Sequence, residues 1–425
     1  MKTIKCNLLI IGAGPAGLAA AIEADRLGIR DILLLERNDE LGGILQQCIH
    51  DGFGLQRFKE QLSGPAYAQR FIDEIKQSNV EIKLRTMVIE LHQDKSCYAI
   101  NSEDGVLEIH PQAVILAMGC RERTKNQVFI LGDRPGGIMT AGTLQRYMNI
   151  EGLIPGRKAV ILGSGDIGMI MARRMKLEGI EVEGVYEIMP RPGGLQRNVF
   201  QCLQDFDIPL HLSTSVKSAH GKSHLEGVTV VAVDENLKQI AGTERYIACD
   251  LLVLSVGLIP ENELSEMAQI PISEVTKGPV VDNNLMTQVD GIFAAGNVTS
   301  VFDLVDYVSA SGETAARGAA NYIREEKQSA TSIDVLAGKN VTSLIPMKYK
   351  KDGQALELYF RSKSIIRAAS VHVMQQGQEI YKRKFQIVRP EEMIKLQLKA
   401  DLVAAINSKQ AITVEIRENG GGPDE

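Results

Sequence analysis

The sequence predicts an α/β protein built from two parallel-sheet domains, the second inserted in the first, followed by a small β-rich module. Three observations predict it: a strand, glycine turn, helix and strand at residues 8–36, a second copy 151 residues later, and a change to short alternating strands from residue 333.

In the first copy, Leu8-Leu9-Ile10-Ile11 is an apolar run of strand length that enters the turn Gly12-Ala13-Gly14-Pro15-Ala16-Gly17. Gly12 permits the tight turn, Gly14 lets the backbone approach a pyrophosphate, and Gly17 lets the following helix pack close. The helix, rich in alanine, closes at Gly28, and its start offers free N–H groups and a partial positive charge to phosphates. A second strand, 32–35, ends on Glu36, 24 residues after Gly12 (36 − 12), where a carboxylate accepts hydrogen bonds from ribose hydroxyls. The glycine pattern alone is weak; strand, helix and acid in their places make it a dinucleotide site.

Composition sets the frame. A chain of 425 residues implies two or three domains, and shares of 44% hydrophobic and 24% charged residues are those of a soluble globular protein. Net charge is −6, which leaves no nucleic-acid footprint. Residues 1–7 lead straight into the first strand without a signal leader, and no apolar run reaches membrane-spanning length, so the expected location is the cytoplasm. Cys6, Cys48, Cys97, Cys120, Cys202 and Cys249 are scattered without a CxxC, which argues against a disulfide framework, a zinc site or an iron–sulfur cluster. No metal site is expected.

After Glu36 a polar turn, Arg37 onward, ends in the pair Gly42-Gly43, and the irregular segment 44–54 carries Cys48 and His50. The pattern predicts a helix over 64–78, strands over 81–86, 97–101 and 107–110, and a buried strand over 113–119 beside the first. Arg121, Arg123, Lys125 and Arg134 mark a crossing between domains, and Arg121 and Arg123 read as salt-bridging linker residues with phosphate contact as the minor alternative. Then the pattern recurs: strand 159–162, turn Gly163-Ser164-Gly165-Asp166-Ile167-Gly168, helix 167–178, and a strand 182–186 ending on Glu187. Adding 151 to Gly12, Gly14, Gly17, Gly28, Ile29 and Glu36 gives Gly163, Gly165, Gly168, Gly179, Ile180 and Glu187, an internal repeat of function.

The second domain continues through a helix over 197–205 and strands over 209–212 and 228–234. A buried run, 249–260, carries Gly257 and a Pro260 hinge; 291–298 returns with Ala-Ala-Gly before a helix over 303–323. His220 and His224 read as residues of a solvated loop. Residues 325–331 read as a charged linker, the tail as strands over 356–360, 371–373, 384–388 and 412–416 with a helix over 401–406, and 420–423 as disordered. The fold class is therefore two Rossmann-like three-layer (ββα-type) dinucleotide-binding domains with expected boundaries 1–120 plus 250–328 and 121–249, and a β-rich module at 333–418.

The two fingerprints and the return segment resemble the two-dinucleotide-binding-domain flavoproteins, the pyridine nucleotide-disulfide oxidoreductase superfamily, over residues 5–325. The resemblance implies FAD at the first site and a nicotinamide nucleotide at the second. Gly12, Ala13, Gly14, Pro15, Ala16 and Gly17 would cradle the FAD pyrophosphate and Glu36 its ribose, with Arg37, Gly42, Gly43, Val88, Ala117 and Gly119 beside them. Gly296 and Asn297 would contact the ribityl and pyrophosphate portion, Asn297 standing where most of the family has Asp. The helix start at Val305 and Asp306 would face the flavin C2 carbonyl. Gly163, Gly165, Asp166, Ile167, Gly168, Glu187 and Gly257 would hold the second nucleotide. A carboxylate at Glu187 welcomes a ribose 2′-hydroxyl and repels a 2′-phosphate, so NADH is expected over NADPH, with Arg191 the nearest basic residue.

The chain departs from disulfide reductases. Cys48 stands alone where glutathione-type enzymes carry CxxxxC, and 134–147 lacks the thioredoxin-reductase CxxC, so no dithiol relay is expected. A closer resemblance, carried by 42–50, 119–124, 136–149, 162–173 and 303–309, is to flavoproteins associated with glycerol-3-phosphate dehydrogenase and to larger subunits of opine and hydroxyproline dehydrogenases and hydrogen cyanide synthase. It implies a redox partner protein, for which a glycerol-3-phosphate dehydrogenase-like flavoprotein is one candidate; whether the chain forms an oligomer is left open by the sequence. The leading expectation is electron transfer between NAD(H) and a partner through the flavin. The alternatives are the flavin subunit of an amine, opine or amino-acid dehydrogenase, and a non-catalytic flavin redox sensor or scaffold. Cys48 is the candidate catalytic thiol, as a charge-transfer thiolate or sulfenate, against a plain packing cysteine; His50 is a candidate proton donor against a loop hydrogen-bonder.

Overall fold

The computed structural model describes residues 1–325 and 332–419, so the stretches read as charged linker and disordered terminus lie, but for Glu325, outside the described residues. The chain forms two compact units: Met1–Gln46, Asp51–Cys120 and everything from Pro260 on make the first, and Gln47–His50 with Arg121–Ile259 make the second.

Unit 1 begins with β1 (Lys2–Ile11), α1 (Pro15–Arg26), β2 (Ile32–Leu35) and α2 (Gly64–Ile75), then β3 (Glu81–Lys83), β4 (Met87–Leu91), β5 (Cys97–Asn101) and β6 (Gly105–Leu116). The sheet runs β3-β2-β1-β6-β5-β4, with β1 parallel to β2 and β6 in registers Leu8↔Ile32 and Leu9↔Val114. The strands read separately at 107–110 and 113–119 are one strand. Pro111 stands between them, yet it falls where the far edge of β6 is unclaimed: pairing with β5 ends at Ile109 and the next neighbour begins at Val114. A residue without an N–H is tolerated in that gap.

Unit 2 contains β7 (Ile138–Thr140), α3 (Ala141–Asn149), β8 (Lys158–Leu162), α4 (Asp166–Leu177), β9 (Glu181–Tyr186) and β10 (Leu210–His211), then β11 (Thr214–His220), β12 (Gly227–Ala232), β13 (Arg245–Ala248) and β14 (Leu251–Leu254). One parallel sheet runs β7-β14-β8-β9-β10, and β11, β12 and β13 belong to a second. Pairing of Val160 with Leu252 makes β14 integral to unit 2, so the chain leaves it only at Ile259. His220 ends β11 rather than lying in a solvated loop, its Nε2 within 2.8 Å of Thr229 Oγ1 and 3.1 Å of Ser218 Oγ. β11 was missed because its half-buried residues give no clean alternation.

The chain returns through β15 (Ile292–Ala294), parallel to β6, and α5 (Val305–Ile323). The module follows with β16 (Ser332–Ala337), β17 (Val341–Ile345), β18 (Lys348–Lys350), β19 (Leu356–Ser362), β20 (Ile366–Gln375), β21 (Gln378–Val388), β22 (Ile394–Leu398) and β23 (Ile412–Glu418). Sheets β18-β16-β23-β20-β21 and β17-β19-β22 enclose their own core, including Leu358, Phe360, Val371, Leu396 and Val414. Asp303, just ahead of α5, ties the module to the rest of unit 1 by accepting from Arg361 Nη2 at 3.0 Å and Met393 N at 2.6 Å.

Small residues let α1 and α5 meet: a Cβ at Gly312 would overlap the Ala16 carbonyl oxygen, and one at Gly296 would lie 2.8 Å from Ala16 Cβ. Because backbone atoms cannot swing aside, Gly312→Ala is expected to cost roughly 1–3 kcal/mol, the usual scale for overpacking. A lower calorimetric midpoint checks it; an unchanged midpoint would show that the helices can part freely.

Candidate functional site

Strands β1, β2, β6 and β15 run parallel, so their carboxyl ends, Ile11, Leu35, Leu116 and Ala294, lie along one edge of the sheet. The expected first-site residues follow those ends, where ligands bind open α/β sheets. Gly12 has φ +101°, and a Cβ there would lie 2.6 Å from Ala117 O; one on Gly17 would overlap Gly12 O. Gly14 differs, since nothing stands within 4 Å of its Cβ position, and α1 has no side-chain cap. The helix start therefore keeps amide donors with no side-chain partner beside open space, a cradle that fits a pyrophosphate.

Glu36 is buried, with Oε2 accepting from Ala13 N at 2.8 Å and Oε1 from Asn38 N at 2.9 Å. Gly42 N donates to Ala13 O at 2.9 Å, and a Cβ at Gly43 would lie 3.0 Å from Gly14 Cα, which brings the glycine pair onto the turn. Thr86 N donates to Glu36 O at 2.8 Å and so places the segment leading to buried Val88 beside the acid; Arg37 projects into solvent. At the ends of β6 and β15, Asn297 Nδ2 donates to Cys120 Sγ at 3.6 Å while its Oδ1 accepts from Phe302 N at 3.1 Å. Gly119 and Gly296 directly precede this pair, and Gly296 N donates to Ser311 Oγ at 2.8 Å. No side chain caps α5 at Leu304; Asp306 in its first turn is buried and accepts from Gln56 N at 3.0 Å.

The second turn repeats the arrangement to the level of individual bonds. Glu187 Oε2 accepts from Ser164 N at 2.9 Å and Oε1 from Met189 N at 3.0 Å, the positions given by adding 151 to Ala13 and Asn38. Ser164 also donates its hydroxyl to Glu187 Oε2 at 2.6 Å, a bond Ala13 cannot make. A Cβ at Gly163 would overlap Ser255 O, and one at Gly168 would lie 2.8 Å from Gly163 O. Asp166 and half-buried Ile167 open α4, and Gly257 lies past β14, accepting from Arg123 N at 3.0 Å. Sequence reasoning passed over Ser164 and the pair Gly193-Gly194, although the same offset from Ala13, Gly42 and Gly43 points to them.

Cys48 and His50 group differently, since Gln47–His50 belongs to unit 2. Gln47 Nε2 donates to Gly142 O at 2.9 Å and to Gln145 Oε1 at 3.1 Å, and Asn149 Nδ2 to Gln47 O at 2.8 Å. The Cys48 thiol donates to Gln145 Oε1 at 3.6 Å, and burial pushes its pKa up to about 12. Among the described residues no group of His, Cys, Asp and Glu is arranged to hold a metal, and no helix is long and apolar enough to cross a membrane.

Two such turns, each backed by its acid, define a protein of two dinucleotide-binding domains. Residues 6–315 match the pyridine nucleotide-disulphide oxidoreductase family, and the chain belongs to it, a family of oxidoreductases that use flavin and pyridine nucleotides. It is 27% identical to hydrogen cyanide synthase subunit HcnB of Pseudomonas protegens over 61% of this chain and 58% of that one. It is 28% identical to an opine oxidase subunit of Agrobacterium tumefaciens over 68% of this chain and 61% of that one. The chain thus spans about three fifths of these curated relatives. The crystal structure of thioredoxin reductase from T. acidophilum is similar at a TM-score of 0.59 and 25% identity, covering 75% of this chain and 98% of that one.

The Cys48 thiol has its proton favoured by the fold, so it stays protonated at neutral pH and ionises only as pH rises toward about 12. Iodoacetamide at neutral pH is expected to label half-exposed Cys120 ahead of Cys48, as read by peptide mass spectrometry. Earlier labelling of Cys48 would mean a reactive thiolate.

Proposed function

We propose that the chain is an FAD-dependent oxidoreductase that passes electrons between NAD(H) and a redox partner protein without a dithiol relay. In this reading unit 1, apart from its β-rich module, is the FAD-binding domain and unit 2 the NAD-binding domain. The observation that carries it is the bond-for-bond repeat of the acid and its turn, Glu36 on Ala13 and Asn38, Glu187 on Ser164 and Met189. When bound, the flavin supplies the hydride-accepting ring. The chain supplies binding and orientation: the Gly12–Gly17 turn and the α1 amides for the pyrophosphate, Glu36 for the ribose, and Gly43, Gly119, Gly296, Asn297 and the α5 start for the remainder.

Lone-pair counting separates the two acids. Each Glu36 oxygen takes one protein bond and keeps a lone pair, enough for both hydroxyls of a ribose diol. Glu187 Oε2 is filled by Ser164, which leaves one site on Oε1. That site accepts one hydroxyl, and the buried negative charge disfavours a 2′-phosphate, which supports NADH over NADPH. The protonated thiol of Cys48 favours a packing role there, with His50 as a hydrogen-bonder of the same segment. The similar chains named as subunits support a partner protein.

The likeness to the opine oxidase chain favours a second reading, the flavin subunit of an opine- or amino-acid-oxidising complex. Anaerobic titration separates the two. NADH is expected to bleach the flavin absorbance of the loaded protein while opines and amino acids leave it unchanged; the reverse pattern replaces the first reading with the second. NADPH is expected to show a kcat/KM lower by at least about tenfold, because like-charge juxtaposition costs upwards of ~1.4 kcal/mol. A preference for NADPH overturns the role given to Glu187.

A further inference from the structure

The offset that relates the two turns also carries Gly42 and Gly43 onto Gly193 and Gly194 (42 + 151 = 193; 43 + 151 = 194). Each pair closes a strap that starts at the acid and comes back over the glycine turn, but the two straps are held in different ways. In unit 1 a backbone bond fixes it to the turn, Gly42 N on Ala13 O at 2.9 Å, with Gln46 Nε2 donating to Leu41 O at 2.6 Å within the strap, and it rests beside Gly14. In unit 2 it reaches one residue further: a Cβ at Gly194 would lie 2.8 Å from Asp166 N, the first amide of α4. A phosphate oxygen accepting from that amide would lie about 2.9 Å from it, so the strap runs close beside an amide the anion would use, with a glycine at the nearest point.

Two side chains that unit 1 lacks fasten it there. Ser164, at the position of Ala13, accepts from Gly193 N at 2.8 Å. Asp166, at the position of Pro15, accepts from Leu195 N at 2.8 Å and is braced by Asn198 Nδ2 at 2.6 Å. We propose that residues 189–195 form a latched strap over the phosphate site of the second nucleotide, with Asp166 as the latch, a positioning residue whose bond to Leu195 N must break before the dinucleotide seats. The proposal rests on the reading that this site takes NAD(H). The latch has a chemical logic: while the strap is closed the carboxylate is satisfied by two N–H donors, and a pyrophosphate arriving at the α4 amides repels it. Entry is then gated by strap opening, so the rate of NADH association levels off at high NADH.

The test uses FAD-loaded protein mixed anaerobically with NADH by stopped flow. Wild type is expected to show a plateau in the observed rate. Asp166→Ala should raise that plateau about tenfold, the factor one charge-assisted hydrogen bond is worth. Asp166→Asn keeps an acceptor for Leu195 N but makes the bond neutral and weaker, and should raise the plateau only about threefold, between wild type and the Ala variant. An unchanged plateau in Asp166→Ala, or equal plateaus in the Ala and Asn variants, overturns the latch, the second because charge repulsion alone would then account for the rate. Hydrogen–deuterium exchange on the wild type needs no variant to fold: NADH should speed exchange over 189–195, and slower exchange there overturns the proposal. If equilibrium titration of wild type finds no NADH binding at all, the assignment of the second site fails and the latch with it, an outcome distinct from a latch that fails in a protein that binds.

Discussion

Unit 1 depends on how closely backbone can approach backbone at the start of α1. A Cβ on Gly17 would overlap Gly12 O, and one on Gly312 would overlap Ala16 O, so α1 is pressed against its own turn on one side and against α5 on the other. Buried Ala19, Ala20, Ala315, Ala316 and Ala319 add little bulk to that packing. The consequence is positional. With α1 fixed this tightly, its uncapped amides are set at the carboxyl ends of β1 and β6, where a diphosphate would meet donors that need no rearrangement.

The second constraint is the buried acid. A carboxylate taken out of water must be hydrogen-bonded, and both Glu36 and Glu187 find their donors in the turn they face and in the residue two positions on. Each acid thereby ties the end of the second strand of its βαβ unit to the glycine turn after the first. The tie is local to each unit, so each turn and its acid form a preorganised pair. On the proposed reading the remaining lone pairs are what a ribose would use, and Ser164 reduces that number at the second site.

Much of this was legible because it is local. Strand, glycine turn, helix and acid are set by residues within one βαβ unit, and the periodicity of each piece survives in the chain. The continuity of β6 through Pro111 was not legible because its tolerance depends on which neighbours flank the strand, and β11 escaped because a strand with a half-buried pattern looks like a loop. Cys48 is the clearest limit. Its place beside the glycine pair suggested flavin chemistry, but its surroundings are set by Gln145 and Asn149, about a hundred residues on, which carry no motif. The strap at 189–195 was within reach, since Gly193 and Gly194 obey the offset already in hand, but its fastening was not, because that lies in which atoms Ser164 and Asp166 face.

On the proposed reading the difference between the two straps has a physical rationale in how long each ligand would stay. A group retained through many turnovers gains from a strap held by backbone bonds, whose geometry side-chain rotation cannot undo, as at Gly42 on Ala13. A nucleotide that must enter and leave once per cycle gains from a strap held by side chains, because turning Asp166 and Ser164 releases it without disturbing the helix or the sheet. On the proposed reading the two copies of one βαβ unit have diverged at the positions that decide this. Ala13 and Pro15 offer no side-chain hydrogen bond, while Ser164 and Asp166 each hold one backbone N–H of the strap, and the acids, the glycines and their spacing are left the same.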